Sequence, residues 1–354
     1  MKNKKVKPIV LTSICAALMS VPLVINPIAS AVVYEAIFSS RFEPTEYMTL
    51  SHTDFDGLYV ERSDFLTDNG AKLAGYKYFK ENIGVSGVVV LSHGLGCGGH
   101  NMFMPFIDYF TSNGYYVFTY DATGNGNSEG GSVEGLPQGI IDLDFALSHV
   151  STIKEYKNLP VVLFGHSWGA YSCGNVLNFH PEIKSAVIIS GCNESEDLLI
   201  SSSTQRVGKI AKLFIPAVTK YEKLKFGEKY TSISAISGMK ASNAKIMVIH
   251  SKDDTQVPVE YGYDKFYSEF KNNPRFEFVL YENRGHNYLF FSDDASNYRE
   301  KINKQYKEYV EVNGKEYSAS TKEEFMNKFL DKKKAYEPDM DLMSKILKMY
   351  DSVC

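Results

Sequence analysis

The stretch VVLFGHSWG, residues 161–169, runs four apolar residues directly into a serine framed by two glycines. A short apolar run bounded by turn residues reads as a buried strand. A Gly-x-Ser-x-Gly turn leaving such a strand and entering a helix lifts the serine hydroxyl out at the edge of a sheet. A plain turn uses the same residue types, so the flanking sequence has to decide. The next residues, GAYSCGNVLNFH, read as a helix that Pro181 ends. They supply the strand, turn and helix the motif requires. The glycines suit so tight a turn because a β-carbon there would meet neighbouring backbone.

Moving outward, the same rhythm repeats. Short β-branched or aromatic runs occur at GVVVLS (87–92), YYVFTY (115–120), VVLFGH (161–166), SAVIIS (185–190), KIMVIHS (245–251) and FEFVLY (276–281). Between them lie stretches with apolar residues three and four apart, such as MPFIDYFTSNG and GIIDLDFALSHVSTI. Alternating strands and helices predict an α/β fold with a mostly parallel sheet covered on both faces. Ahead of it, LYVERSDFLT and LAGYKYF flank Asp68-Asn69-Gly70, a hairpin signal. Two regions break the alternation. Residues 192–243 contain TQRVGKIAKLFIPAVTKYEKLKF, amphipathic, basic and interrupted at Pro216. The tail from about 293 to 354 is charge-rich, and near its end Leu342, Ile346, Leu347 and Tyr350 fall at helical spacing, as expected of a helix facing the core.

A serine needs a base within hydrogen-bond reach and a third group to orient that base. In this strand–turn–helix setting the chain order is Ser, then Asp or Glu, then His. Of the eight histidines, His286 alone follows both Ser167 and the strand 245–251. It lies in ENRGHNY, past the strand 276–281, where open α/β sheets gather their functional groups. The acid is expected after 245–251, in KDDTQVP. Asp254 is preferred over Asp253, because Pro258 opens the next helix and the turn aims Asp254 inward. Acyl transfer also needs donors for the developing oxyanion. The Trp168 N–H, next to the nucleophile, and the Leu95 N–H in SHGLGCGGH (92–100) are the candidates. That glycine-rich loop lacks the Lys-Ser/Thr ending of a P-loop and is no dinucleotide fingerprint. Cys97 within it reads as a small filler residue.

The chain has 354 residues, a formal net charge of −4 and ordinary apolar and charged fractions. No basic domain points to nucleic acid. Cys15, Cys97, Cys173, Cys192 and Cys354 are odd in number, widely spaced and free of any C-x-x-C, which argues against a disulfide framework or zinc site. The N-terminus carries Lys2, Lys4, Lys5 and Lys7, then no charge from Pro8 through Tyr34. That length suits a membrane-spanning helix. The lysines would leave the N-terminus in the cytoplasm and the rest outside. Ala29-Ser30-Ala31 offers the alternative of a cleaved, secreted form. The expected domains are therefore an anchor or signal over 1–38, a catalytic body over 39–191 and 244–354, and an insertion over 192–243.

In SHGLG, YDATGNGNSEG, GHSWG, HSKDDTQVP and RGHNY, taken in this order, the chain resembles the α/β-hydrolase superfamily, and within it the serine-aminopeptidase and monoacylglycerol-lipase-like group. The resemblance extends over residues 87–290. It implies a serine hydrolase with catalytic Ser167, Asp254 and His286, needing no metal or organic cofactor, and a cap over 192–243 that shapes the acyl pocket. In that group the segment matching Asp121–Gly130 usually carries Arg and His, where this chain has Thr123 and Asn125. The resemblance leaves the tail beyond His286 unassigned. A small-molecule or lipid ester is the expected substrate. A peptide, a thioester or a slow-turnover receptor role would suit the same frame, since fold does not fix function.

Overall fold

The computed structural model describes residues 26–207 and 214–354. Most of the expected span, residues 8–25, and the basic stretch 208–213 lie outside them. The strands are β1 (Tyr59–Arg62), β2 (Phe65–Leu66), β3 (Lys72–Leu73), β4 (Gly75–Phe79), β5 (Gly87–Ser92), β6 (Tyr115–Tyr120), β7 (Val161–His166), β8 (Ser185–Ile189), β9 (Lys245–Ser251) and β10 (Phe276–Tyr281). The helices are α1 (Asn26–Phe38), α2 (Met104–Ser112), α3 (Gln138–Val150), α4 (Trp168–Val176), α5 (Ser195–Val207), α6 (Ile215–Phe226), α7 (Glu228–Thr231), α8 (Ala235–Ala241), α9 (Tyr263–Phe270), α10 (Asp293–Val312), α11 (Ala319–Phe329), α12 (Lys332–Ala335) and α13 (Met340–Asp351).

The main sheet has the order β1-β4-β6-β5-β7-β8-β9-β10. From β6 through β10 neighbours run parallel, while β4 joins β6 and β1 joins β4 antiparallel. The fold class read from the alternation is the one observed. The hairpin is present too, with Tyr59 opposite Phe79 and β2 paired to β3 at its tip. Gly75 is required beside its bend, since a β-carbon there would lie 2.2 Å from the Ser63 carbonyl oxygen.

Period-two alternation splits the sheet's side chains between two cores. Val88, Val90, Leu163, Ile188 and Val248 face α3, α4, α9 and the 192–243 insertion. Val89, Leu91, Phe164, Ile189 and Ile249 face α2 and the C-terminal α13. On α13, Leu342, Ile346 and Tyr350 are buried and Leu347 is half-buried, as its spacing predicts. The Tyr350 hydroxyl donates to the Leu163 carbonyl at 2.7 Å, tying the tail to the central strand.

The insertion between β8 and β9 is helical, α5 through α8. Pro216 opens α6 rather than breaking a helix, the first-turn position where its missing N–H costs nothing. Helix α1 packs on α6. Tyr34 and Phe38 enter the first core, the Tyr34 hydroxyl donates to Glu222 at 2.6 Å, and Lys225 donates to Glu35 at 2.7 Å. Residues 26–38 thus pack against the first core and the helices between β8 and β9. Among the described residues no helix is long and apolar enough to cross a membrane.

Candidate active site

The site is built at the carboxyl ends of β5, β7 and β9 and in the loop after β10. Strand β7 delivers Ser167 in a conformation foreign to most residues, φ 56° and ψ −117°. The surroundings enforce it. The Ser167 N–H donates to the Ile189 carbonyl at 2.8 Å, and α4 begins at the next residue. A β-carbon on Gly165 would sit 2.5 Å from the Gly169 carbonyl oxygen, and one on Gly169 only 2.0 Å from that of Ser92. The glycines around the serine are therefore demanded by close backbone approach on both sides of the turn.

Ser167, His286 and Asp254 come together. The Ser167 hydroxyl lies 2.8 Å from His286 Nε2, and His286 Nδ1 lies 2.8 Å from Asp254 Oδ2. Since Asp254 can only accept, the imidazole proton belongs on Nδ1, leaving Nε2 to receive the serine proton. The other oxygen, Oδ1, accepts the N–H groups of Gln256 and Val257, each at 2.9 Å. Burial pushes the Asp254 carboxyl upward, but hydrogen bonds from His250 and His286 outweigh it and hold the group well below the usual carboxylate range. Asp254 is thus an anion aimed at the imidazole.

Asp253 stands apart from that imidazole. Its Oδ1 accepts the Ser251 hydroxyl at 2.5 Å and the Gly285 N–H at 2.9 Å. It latches the loop carrying His286 onto the end of β9, a task its position as a turn residue did not suggest. His166, written as the variable residue of GHSWG, matters as well. Its Nε2 donates to the His286 carbonyl at 3.0 Å, with the two ring centroids 5.0 Å apart. Burial pushes its pKa down to about 3, so it stays a neutral donor. The only sequence signal for it was its place beside Ser167.

Of the two expected oxyanion donors, Trp168 opens α4, so its N–H is among the donors a helix start leaves unpaired. Leu95 is exposed in the loop after β5. His93 shapes that loop. Its Nε2 accepts the Ala122 N–H at 3.0 Å, so Nδ1 carries the proton and donates to the Gly94 carbonyl at 2.9 Å. Burial of the Cys97 thiol pushes its pKa up to about 11, which suits a filler rather than a nucleophile.

Thr123 and Asn125 are buried and bonded. Thr123 donates to Asp142 through its N–H at 2.7 Å and its hydroxyl at 2.9 Å, and Asn125 donates to the Thr123 carbonyl at 3.0 Å. From the connector ahead of the sheet, the Arg41 guanidinium bonds the carbonyls of Gly126, Ser128 and Gly130. The loop is held by an arginine from outside it.

Of two sizeable cavities, one borders the site. One of about 440 Å³ lies between α4 and the insertion, among Tyr171, Glu194, Glu222 and Lys223. The other, about 390 Å³, borders the site directly through Leu95, Gln256 and Asn287. Among the described residues its far wall comes from the tail, not from the insertion expected to shape the pocket.

Several known proteins are similar to this chain. Residues 84–234 match the family model described as serine aminopeptidase. A caffeoylshikimate esterase of Arabidopsis thaliana is 36% identical over 118 residues, 32% of this chain and 34% of that protein. A monoglyceride lipase of Saccharomyces cerevisiae is 31% identical over 160 residues, 43% of this chain and 49% of that protein. The chain thus spans half or less of the length of these curated relatives. A solved esterase from Pyrococcus furiosus superposes with a TM-score of 0.54 at 18% identity, covering 77% of this chain and 98% of that one. The chain has an α/β-hydrolase fold. Within that superfamily it is similar to the serine-aminopeptidase and monoacylglycerol-lipase-like group.

Proposed function

We propose that the chain is a serine hydrolase that cleaves carboxylic esters through an acyl-enzyme. The observation that carries this reading is the unbroken relay from Ser167 through His286 to Asp254, both links 2.8 Å, on a strained strand-to-helix turn. Ser167 Oγ attacks the ester carbonyl while His286 Nε2 takes its proton. Asp254 stabilises the imidazolium that forms and fixes its orientation. The N–H groups of Leu95 and Trp168 receive the negative charge on the carbonyl oxygen, a contribution of roughly 3 kcal/mol per donor. His286 then protonates the leaving alcohol, and water releases the acyl group by the same steps. Every proton has a carrier in the chain, so the sequence of steps calls on no metal or organic cofactor.

Esters are favoured because relatives on both sides of the comparison are named as esterases or lipases. Ser167→Ala should lower turnover of 4-nitrophenyl esters by about 10⁴-fold or more. Hydrolysis that survives the substitution would sink the assignment. Folded wild-type protein that cleaves no ester would turn attention to peptides, thioesters or slow-release binding.

The N-terminal segment is read as the membrane contact of this enzyme. Support comes from Lys2, Lys4, Lys5 and Lys7 ahead of the charge-free run to Tyr34. It also comes from the outward side of α1, where Ile28, Val32, Val33 and Ile37 are all exposed.

A further inference from the structure

The cavity of about 390 Å³ beside the oxyanion loop has an unusual wall. The three loops bearing Leu95, Asp254 and His286 each lend it a side, through Leu95, Gln256 and Asn287. Helices α10 and α11 of the tail close it with Arg299 and Lys322. Among the described residues no aspartate or glutamate lines it, although acidic residues outnumber basic ones in the chain.

Arg299 is only 8% exposed. Its guanidinium lies against the rings of Tyr288 and Phe291, 4.1 and 4.5 Å from their centroids. Two of its nitrogens bond neutral acceptors, the Ala335 carbonyl and, at 3.2 Å, the Ser296 hydroxyl. Its Nε is buried without a hydrogen-bond partner. Among the described residues no carboxylate pairs with Arg299 or with Lys322. The contrast with Arg284 is direct, since Arg284 reaches Asp339 at 2.6 Å and Asp293 at 3.0 Å. Buried arginines are normally paired, because an uncompensated charge out of water is expensive. Arg299 holds its charge with aromatic faces and neutral oxygens, and it does so in the wall of a cavity that opens beside the reacting carbonyl.

We propose that this cavity is a subsite for an anionic group on the substrate, so that the enzyme selects esters whose acyl or alcohol part ends in a carboxylate or phosphate. The inference rests on the ester-hydrolase reading. Arg299 and Lys322 supply the charge, and Asn287 and Gln256 line the path from the triad to it. Arg299 acts here as a specificity residue, not as a catalytic one.

The test compares 4-nitrophenyl hydrogen glutarate with 4-nitrophenyl pentanoate, a neutral ester of the same acyl length, on the full chain. Wild type should favour the hemiester in kcat/KM. Arg299→Gln should cut that preference by about tenfold to a hundredfold, the worth of a hydrogen bond to a charged group. Arg299→Lys should restore part of it. A purely structural Arg299 would lower both substrates together and leave the ratio alone, which would overturn the proposal, as would a wild-type preference for the neutral ester. Arg299 also pins α12 through Ala335, so Arg299→Gln could fail to fold. Lys322→Met then decides, because that side chain is half-buried and has no ion pair to lose; an unchanged ratio counts against the subsite. If neither ester is cleaved, the ester reading has failed and binding decides the subsite separately. Glutarate or inorganic phosphate should then raise the melting temperature of wild type but not of Lys322→Met, the effective anion telling carboxylate from phosphate. No shift with either anion would end the proposal.

Discussion

At the scale of the residue, the turn at Ser167 shows how little freedom the proposed nucleophile has. Its φ of 56° is uncommon for any residue but glycine. The strain persists because Gly165 and Gly169 let three backbone segments crowd around it. A single methyl group should undo this. Gly169→Ala would drive a β-carbon into the Ser92 and His93 carbonyls, at 2.0 and 2.9 Å. Neither is the end of a flexible side chain, so β5 or the oxyanion loop must move. We expect a loss of about 3 kcal/mol, in the range of core overpacking, read as a lower urea midpoint, together with a fall in kcat. An unchanged midpoint would mean the turn is looser than its geometry. That Ser167, Asp254 and His286 would lie close together was legible in the sequence because each follows its own strand, although Asp254 was preferred over Asp253 only by the direction of its turn. His166, His93 and Asp253 were not. Their work is done on backbone groups of distant loops, and no local pattern announces a partner 120 residues away, as the His286 carbonyl is from His166.

At the scale of the element, strands were easier to read than helices. The runs at 87–92, 115–120, 161–166, 245–251 and 276–281 coincide with β5, β6, β7, β9 and β10. Strands buried on both faces must be continuously apolar, which leaves a strong mark. The tail helices carry only an amphipathic period, which says that one side is covered and not by what. Their place beside the oxyanion loop was therefore invisible, and so was the meaning of Arg299. Helix α1 poses the reverse case. Tyr34 and Phe38 fix its inner side against α6, so Ile28, Val32, Val33 and Ile37 cannot turn inward. An apolar side held outward next to a lysine block predicts that the full chain co-sediments with lipid vesicles. Binding should persist in about 1 M salt, where the screening length falls to roughly 3 Å and lysine attraction is lost. Release at high salt would leave the lysines alone responsible, and no co-sedimentation at all would overturn the membrane reading.

At the scale of the whole molecule, buried neutral histidines set the acid limit. Burial lowers His166 to about 3 and lowers His93 as well. In the unfolded chain both titrate near 6.5. As the pH falls through 6.5 the unfolded state takes up protons that the folded state refuses, so stability is full above 6.5 and drains away below it. Each such proton costs about 1.4 kcal/mol per pH unit. Asp142 works the other way. Burial raises its carboxyl to about 6, so the folded state holds a proton that the unfolded state releases above about pH 4, and this offsets one histidine between those limits. His149 is lowered by burial like the other two, while burial raises Glu194 and Glu222 and the bond to Asp144 raises His180 despite burial. With three histidines refusing protons from pH 6.5 downward, the urea midpoint should drop between pH 7 and pH 5. A midpoint constant over that range would show that water reaches these rings.

Helices α10 and α11 share a small core, Ile302, Phe325 and Met326 with Tyr306 and Tyr309 around them, and among the described residues it meets the second core of the sheet at Tyr298 and Leu330. Energies of changes at sites without shared partners add nearly independently. Positions of the hairpin away from that seam can therefore drift through many sequences while Ser167, Asp254 and His286 stay where they are. Selection has an adjustable part to act on, bounded by two side chains.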